Sequence, residues 1–221
     1  MPVSALRGRV EIVSAFISPA SPYSRTSLSS RSSGAMVKAW YMQARPANPR
    51  EECHLDPPKA ATLEKLASIG VLYDYVDPKE RDEKLDPIAK VRGFDHSDEV
   101  AVSPQLLPDY EEKIQFFFEE HLHNDDEVRY VIDGCGYFDV RDNEVRCTLD
   151  NWIRIQSEPG DLITLPAGIY HRFTPNTGDY IHVKRLFKGV PVWTAHFRKD
   201  DETGKMPIRG EYVGKFQKAP T

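Results

Sequence analysis

Two short stretches with histidines at fixed spacings constrain this chain more than any other feature. The first carries His121 and His123, two residues apart, and then Glu127 four residues later. Side chains two apart on a strand share a face, so we expect a single strand to present all three as metal donors. The second stretch runs from Gly160 to His171 and ends in a histidine behind a Pro-Ala-Gly turn. A neighbouring strand would bring that histidine into the same space.

Three imidazoles and one carboxylate form a ligand set of borderline softness. Such a set suits Fe(II), Ni(II), Mn(II), Co(II) or Zn(II), and suits Ca or Mg poorly. On an ion that prefers about six ligands, four protein donors leave positions for water, oxygen or a chelating substrate, which is typical of a catalytic site. The competing interpretation is that the His-x-His pair arises by chance and that Glu127 belongs to a solvated acidic turn.

The spacings within these stretches resemble the two motifs of the cupin superfamily. Six residues separate Glu127 from the next glycine, and five separate Gly160 from Pro166. The asparagine of the second motif is displaced by one position to Asn176, and Pro175 stands in its place. The resemblance implies a mainly β fold, the cupin double-stranded β-helix or jelly-roll barrel, with several short helices before it.

Longer segments around the histidines resemble the acireductone dioxygenase family of methionine salvage. The resemblance runs from Met36 almost to the C-terminus. It is carried by residues 117–123, 128–130, 136–142, 152–155, 165–174, 185–187 and 191–194. His182, His196 and Phe197 differ from the residues that are usual at their positions in the family.

The resemblance implies a metal-dependent dioxygenase acting on 1,2-dihydroxy-5-(methylthio)pent-1-en-3-one, the acireductone, with O2. With Fe(II), members of the family yield 4-methylthio-2-oxobutanoate and formate. With Ni(II), they yield 3-(methylthio)propanoate, formate and carbon monoxide. The implied metal ligands are His121, His123, Glu127 and His171. We expect a monomer located in the cytoplasm and also the nucleus, without a nucleic-acid or membrane partner.

Because side chains two residues apart on a strand share a face, two more side chains are expected in the barrel interior. Arg129 follows Glu127 by two residues, and Phe173 follows His171 by two. A guanidinium beside a metal would stabilise an ionised enediol, although Arg129 would serve equally as the partner of a structural carboxylate such as Glu127. The resemblance adds Arg185 as a second positive group near the pocket and assigns the methylthio tail to Phe173.

Two other classes of function stay open. Another metal cupin, such as an oxalate-acting enzyme or a sugar isomerase, would keep the four ligands and lose the flanking segments. A cupin that binds without catalysis, or one with a regulatory role, would lack turnover. The sequence also leaves open which metal is resident.

The chain is long enough for one domain, residues 36–221, after a Ser/Arg-rich extension, residues 1–35. The extension has ten serines and a net charge of +3, which leaves the domain with 25 basic and 33 acidic residues and a net charge of −8. That balance argues against a nucleic-acid surface. The extension is a disordered tail, a mistaken start upstream of Met36, or an organellar transit peptide.

Cysteine spacing and hydropathy bear on the redox compartment of the protein and on whether it contains a membrane helix. Cys53, Cys135 and Cys147 lack the Cys-x-x-Cys spacing of a zinc or redox site and favour a reducing compartment. No apolar run approaches the roughly 20 residues of a membrane helix.

The region before the histidines predicts one strand and several short helices. We expect a strand over residues 36–42 and a helix over residues 62–69 that ends at Gly70. Asp77-Pro78 and Asp86-Pro87 each resemble a helix start and predict two short helices.

Residues 108–118 predict a helix that leads into the ligand strand, because Tyr110, Ile114 and Phe117 fall on one face. Regularly spaced turns after Glu127 predict short strands of a sandwich or barrel. The chain from Lys199 onward reads as irregular.

Overall fold

The computed structural model describes residues 37–142, 151–190 and 194–217, which form two antiparallel β-sheets and four α-helices. The strands are β1 (Lys38–Met42), β2 (His54–Ala60), β3 (Leu72–Tyr75), β4 (His96–Val102), β5 (His121–Leu122), β6 (Glu127–Gly134), β7 (Gly136–Arg141), β8 (Trp152–Ser157), β9 (Asp161–Leu165), β10 (His171–Pro175), β11 (Ile181–Phe187) and β12 (His196–Phe197). The helices are α1 (Leu63–Ser68), α2 (Arg81–Val91), α3 (Tyr110–Phe118) and α4 (Pro207–Phe216). None of these helices has the length and apolar character needed to span a bilayer.

The two sheets pack face to face around an apolar core. One sheet has the strand order β12-β5-β10-β7-β8-β1-β2, and the other has the order β3-β9-β6-β11-β4. Val140 and Ile153 of the first sheet pack with Ile163 and Leu165 of the second, and all four side chains are buried. This mainly β, two-sheet architecture is the cupin fold that the sequence predicted.

The first predicted helix is confirmed together with both of its ends. The Thr62 side chain accepts a hydrogen bond from the backbone N–H of Lys65 at 3.1 Å, which caps α1. Gly70 follows the helix with a φ of +85°, a conformation that glycine adopts readily. Strand β1 and helix α3 also lie where the sequence predicted them.

The predicted helix start at Asp86-Pro87 was wrong. Pro87 lies inside α2, a single helix that follows a 3₁₀ turn over Pro78–Glu80. A proline inside a helix costs about 3 kcal/mol because a backbone hydrogen bond is lost. Leu85, Ile88 and Ala89 of this helix pack against the outer face of the second sheet, and that burial offsets the loss.

The expectation of irregular sequence after Lys199 was wrong as well, because helix α4 spans Pro207–Phe216. Its residue Tyr212 is buried in the central core and donates a hydrogen bond to the backbone oxygen of Ile69 at 2.9 Å. The helix is therefore stabilised by packing against segments distant in the chain. The predicted surface insertion at residues 143–151 falls almost wholly outside the described residues, as do residues 1–35 and Cys147.

Candidate metal centre

His121 and Glu127 of the first stretch lie in different sheets. β5 covers only His121–Leu122, His123 follows it outside the strand, and Glu127 begins β6 of the other sheet. The prediction of one continuous ligand strand was therefore wrong. Asn124, Asp125 and Asp126 form the turn between the sheets, since short polar side chains of this kind favour turns over strand pairing.

Strand pairing brings the last histidine of the set to the first. His171 opens β10 and lies directly opposite His121 of β5 in the antiparallel ladder, which confirms the delivery from a neighbouring strand. The ring centroids of these two residues are 4.5 Å apart, and that of His123 lies 5.0 Å from His121 and 5.3 Å from His171. Their ligating nitrogens lie within 4.8 Å of one another.

Backbone carbonyl groups orient all three imidazole rings. Each Nδ1 lies against one carbonyl oxygen: His121 against Glu119 at 2.7 Å, His123 against Thr194 at 2.8 Å, and His171 against Ile169 at 3.0 Å. A carbonyl oxygen only accepts hydrogen bonds, so these contacts assign the proton to Nδ1 of every ring. The Nε2 lone pairs are thereby left to bind a metal ion.

Glu127 completes the cluster with a carboxylate. Its Oε2 atom lies 3.3 Å from Nε2 of His123 and 3.4 Å from Nε2 of His171, and only 9% of its side chain is exposed. The buried Nε2 of His171 has no hydrogen-bond partner among the described residues. Lone pairs and a carboxylate oxygen that face one another at this distance repel unless a cation lies among them. The donor set therefore fits a divalent metal ion.

The protonation of these groups is set by burial and by their neighbours. Burial, with His171 nearby, lowers the pKa of His121 to about 3, so this ring stays neutral at physiological pH. Burial disfavours the charged form of His123 too, but the contact with Glu127, the charge of that carboxylate and the carbonyl of Thr194 together outweigh burial and raise the pKa of His123. Burial opposes ionisation of Glu127, yet Arg129 and both neighbouring histidines hold the pKa of this carboxyl well below its usual range.

Two arginines lie side by side next to the cluster. Arg129 of β6 and Arg185 of β11 are directly opposite each other, so their side chains share the inner face of the sheet. Nη2 of Arg129 is 3.4 Å from Oε2 of Glu127, whereas Arg185 makes a two-pronged ion pair with Asp98 at 2.7 and 2.5 Å. Arg129 thus touches the cluster, and the guanidinium of Arg185 is held by a carboxylate on β4.

Phe173 lies on the same face of β10 as His171 and packs among other aromatic rings. Its ring centroid is 4.9 Å from that of Phe138 and 6.4 Å from that of Phe117. A Cβ atom added at Gly136 would lie 2.9 Å from this ring, so the missing side chain there makes room for Phe173. The residue stays half-buried and contributes an apolar surface close to the histidines.

The remaining histidines lie apart from the cluster. Nε2 of His182 is 3.2 Å from the carboxylate of Glu99, and the side chain of His196 contacts Asn124. His54 pairs with Glu52, two residues before it, and His96 pairs with the preceding Asp95.

Sequence reasoning missed two acidic residues near the site. Glu120 directly precedes His121, and its position beside a ligand-type histidine was a usable signal. Asp98 had no such signal, because only the pairing of β4 with β11 brings it to Arg185.

The family to which the chain belongs follows from comparison with known proteins. The model of the ARD/ARD' family matches residues 38–195, which include all four clustered donors. The chain belongs to this family. An acireductone dioxygenase of Homo sapiens is 49% identical over 180 residues, covering 80% of this chain and 96% of that relative. One of Branchiostoma floridae is 51% identical over 178 residues, again covering 80% and 96%.

A solved structure supports the same family fold. It is an acireductone dioxygenase from Bacillus anthracis with a cadmium ion in its active centre, and it matches with a TM-score of 0.59. The match covers 74% of this chain and all of the other at 20% identity. At that identity the likeness bears on the cupin architecture of the family alone.

Proposed function

We propose that this chain is a metal-dependent acireductone dioxygenase. It cleaves 1,2-dihydroxy-5-(methylthio)pent-1-en-3-one with O2, and all atoms of both reactants appear in the products. The observation that carries the proposal is the cluster of three imidazoles and one carboxylate in a chain of the ARD/ARD' family. His121, His123, Glu127 and His171 are the proposed metal ligands.

The ligand set accounts for why the bound ion would be catalytic. Four protein donors leave coordination positions for two substrate oxygens or for O2, and the ion supplies Lewis acidity there when it is bound. The backbone carbonyls behind the three rings hold each Nε2 in place without the rings having to reorient. Such preorganisation keeps the site ready for a chelating substrate.

Arg129 gives the site its preference for an anion. Glu127 cancels one charge of a divalent ion, and the guanidinium 3.4 Å away restores a positive charge. An ionised enediol carries the opposite charge, so it is attracted to this side of the cluster and stabilised there. Arg185, opposite Arg129 on the next strand, is the second cation of the proposal and acts at longer range because Asp98 holds its guanidinium.

Phe173 is proposed to bind the methylthio tail. A thioether is apolar and polarisable, and it packs favourably against the edge of an aromatic ring. Phe173 is half-buried on the same face of β10 as His171 and packs near Phe138 and Phe117, so the part of the side chain that stays exposed offers an apolar surface to the tail. The polar head and the apolar tail of the substrate thus contact different residues of the pocket.

The resident metal is proposed to be Fe(II), with Ni(II) as the alternative. The protein ligands are the same in both forms, so a change of product on metal exchange comes from the ion. We expect the Fe(II) form to release 4-methylthio-2-oxobutanoate and formate. We expect the Ni(II) form to release 3-(methylthio)propanoate, formate and carbon monoxide.

The test is to reload the apoprotein with each ion and follow oxygen uptake with an electrode, with carbon monoxide detected in the same samples. Oxygen uptake above the spontaneous oxidation of the acireductone supports the dioxygenase. The absence of any added uptake with either ion would end the proposal, since an isomerase or a non-catalytic cupin consumes no oxygen. Equal products from both ions would keep the enzyme and remove the metal-directed choice of products.

A further inference from the structure

Residues 194–198 lie along the segment that carries two of the proposed ligands. β12 pairs with β5, so that His196 is opposite Leu122 and Phe197 is opposite His121. The backbone N–H of Arg198 donates a hydrogen bond to the oxygen of Glu120 at 3.0 Å. At the other end of the segment, the carbonyl of Thr194 contacts Nδ1 of His123 at 2.8 Å.

The contacts made by residues 194–198 matter because the segment that carries His121 and His123 has little support of its own. β5 is only two residues long, and His123 lies beyond its end. A strand of two residues forms few ladder hydrogen bonds, so its position depends on what flanks it. On one side it pairs with β10 through a single residue pair, and on the other side it pairs with β12.

The side chain of Glu120, the residue before β5, binds two other parts of the fold, β7 and the residue that follows β12. Its carboxylate binds Arg141 of β7 with two bonds of 2.7 Å each. The same carboxylate binds Nη1 of Arg198 at 2.8 Å. Only 19% of the Glu120 side chain and 14% of that of Arg141 are exposed, so the bonds between them are less screened than a surface ion pair, whereas Arg198 is 44% exposed and its bond is that of a partly exposed pair.

Phe197 reaches the inner face of the sheet beside the site. Because it is directly opposite His121, both side chains lie on the same face, and their ring centroids are 6.1 Å apart. The ring of Phe116 packs edge-to-face on Phe197 at 5.0 Å. The His121 ring is therefore flanked by His171 on one side and by an aromatic pair on the other.

We propose that Arg198 and Phe197 are positioning residues for the metal centre, acting through Glu120 and His121. They hold the segment with His121 and His123 in its pairing register, and that register determines the affinity of the site for the metal ion. The proposal rests on the ligand assignment made above. It adds that the C-terminal strand β12, which contributes none of the four proposed ligands, controls metal affinity.

The test compares two neighbouring substitutions that each remove one positive charge. Arg198→Met breaks the bond to Glu120, whereas Lys199→Met breaks the adjacent Lys199–Glu119 ion pair, whose side chains are more exposed. Ni(II) affinity is measured by competition with a chelator, on protein whose thermal unfolding without metal is recorded in parallel. We expect Arg198→Met to weaken Ni(II) binding about tenfold or more, the usual effect of losing a partner that orients a ligand.

Lys199→Met is expected to leave the affinity within about twofold, and Arg198→Lys to recover part of the loss, since lysine keeps the charge without the planar fork. Phe197→Leu, which keeps an apolar side chain but removes the ring, is expected to weaken binding as well. Unchanged affinity in Arg198→Met, or an equal loss in Lys199→Met, would overturn the proposal.

His123→Ala is measured beside these variants to separate this inference from the ligand assignment. If His123→Ala binds Ni(II) as tightly as the unmodified chain, the ligand assignment fails first and the inference falls with it. If His123→Ala loses the ion while Arg198→Met keeps it, only the role of β12 is rejected. A lower melting temperature in Arg198→Met with normal Ni(II) affinity would show a merely structural role and would also reject it.

Discussion

His121 and His171 are directly opposed residues of antiparallel strands, and their ring centroids lie 4.5 Å apart. They are 50 positions apart in the chain, yet one ladder step brings them together. Because His121 is the first residue of β5 and His171 the first of β10, the site lies where both strands begin. Its geometry therefore depends on strand register, and a shift of one residue would turn a ligand away from the cluster.

Substituting His171 by alanine is expected to remove the bound ion and abolish turnover. The ring is almost fully buried and its Nε2 has no other partner among the described residues, so no neighbouring group can take its place. The loss of affinity should exceed the roughly 100-fold that follows loss of a partner behind a ligand. Elemental analysis and chelator competition measure it, and the exposed His96→Ala is the control. Stoichiometric iron in His171→Ala would contradict the ligand assignment.

Arg129→Met should keep the fold and the metal while slowing the reaction by about 10²-fold, as loss of a charge-matched contact in a shielded site does. Steady-state kinetics on the acireductone and metal analysis of the same samples measure this. Loss of metal with unchanged turnover per ion would show instead that Arg129 serves only to orient Glu127.

Arg185→Met is the matched comparison for Arg129→Met. Its guanidinium is bound to Asp98, whose side chain is 42% exposed and is left solvated when the arginine is removed. The expected loss of activity is therefore about tenfold or less, in line with the small free energy of a partly exposed ion pair. Losses of equal size in the two variants would give Arg185 a direct role on the substrate.

Asp139→Asn is expected to destabilise the fold strongly. The Asp139 carboxylate is fully buried between the guanidinium groups of Arg154 and Arg172, which it binds at 2.7 to 2.9 Å. Removing its charge leaves two buried cations without their counter-ion, and the cost of breaking such a network is about 3–5 kcal/mol. Denaturant unfolding measures the change, with the exposed Glu202→Gln as a control expected to stay within about 0.5 kcal/mol.

Gly168→Ala and Gly210→Ala are expected to change stability in opposite directions. Gly168 has a φ of +79°, and an added Cβ would lie 2.5 Å from the backbone oxygen of Ile208 in α4. The left-handed conformation alone costs an alanine about 1–2 kcal/mol, and the displaced helix adds to it. Gly210 is exposed on the same helix with nothing near its Cβ position, so alanine there should add up to about 1 kcal/mol. Chemical denaturation of both variants decides the point, and stabilisation by Gly168→Ala would contradict the packing.

The sequence by itself was sufficient to predict the candidate donor set and the class of fold. The spacings of His121, His123, Glu127 and His171 are sufficient to indicate a metal-binding cupin. The helices α1 and α3 were also predictable, because capping residues and the spacing of apolar residues act within a few positions of the chain. Capping and spacing predict an element correctly where the contacts that stabilise it join residues close together in the chain.

Only the tertiary structure decided how the donors meet. Sequence periodicity treated residues 121–127 as one strand, but pairing with β10 and with β9 divides them between two sheets. The same holds for Pro87 inside α2, for helix α4, whose local signal is limited to a proline in its first turn, and for Asp98 beside Arg185. In each case contacts between residues far apart in the chain outweigh local propensity, because burying apolar surface and pairing buried charges contribute more free energy than the preferences of a few residues.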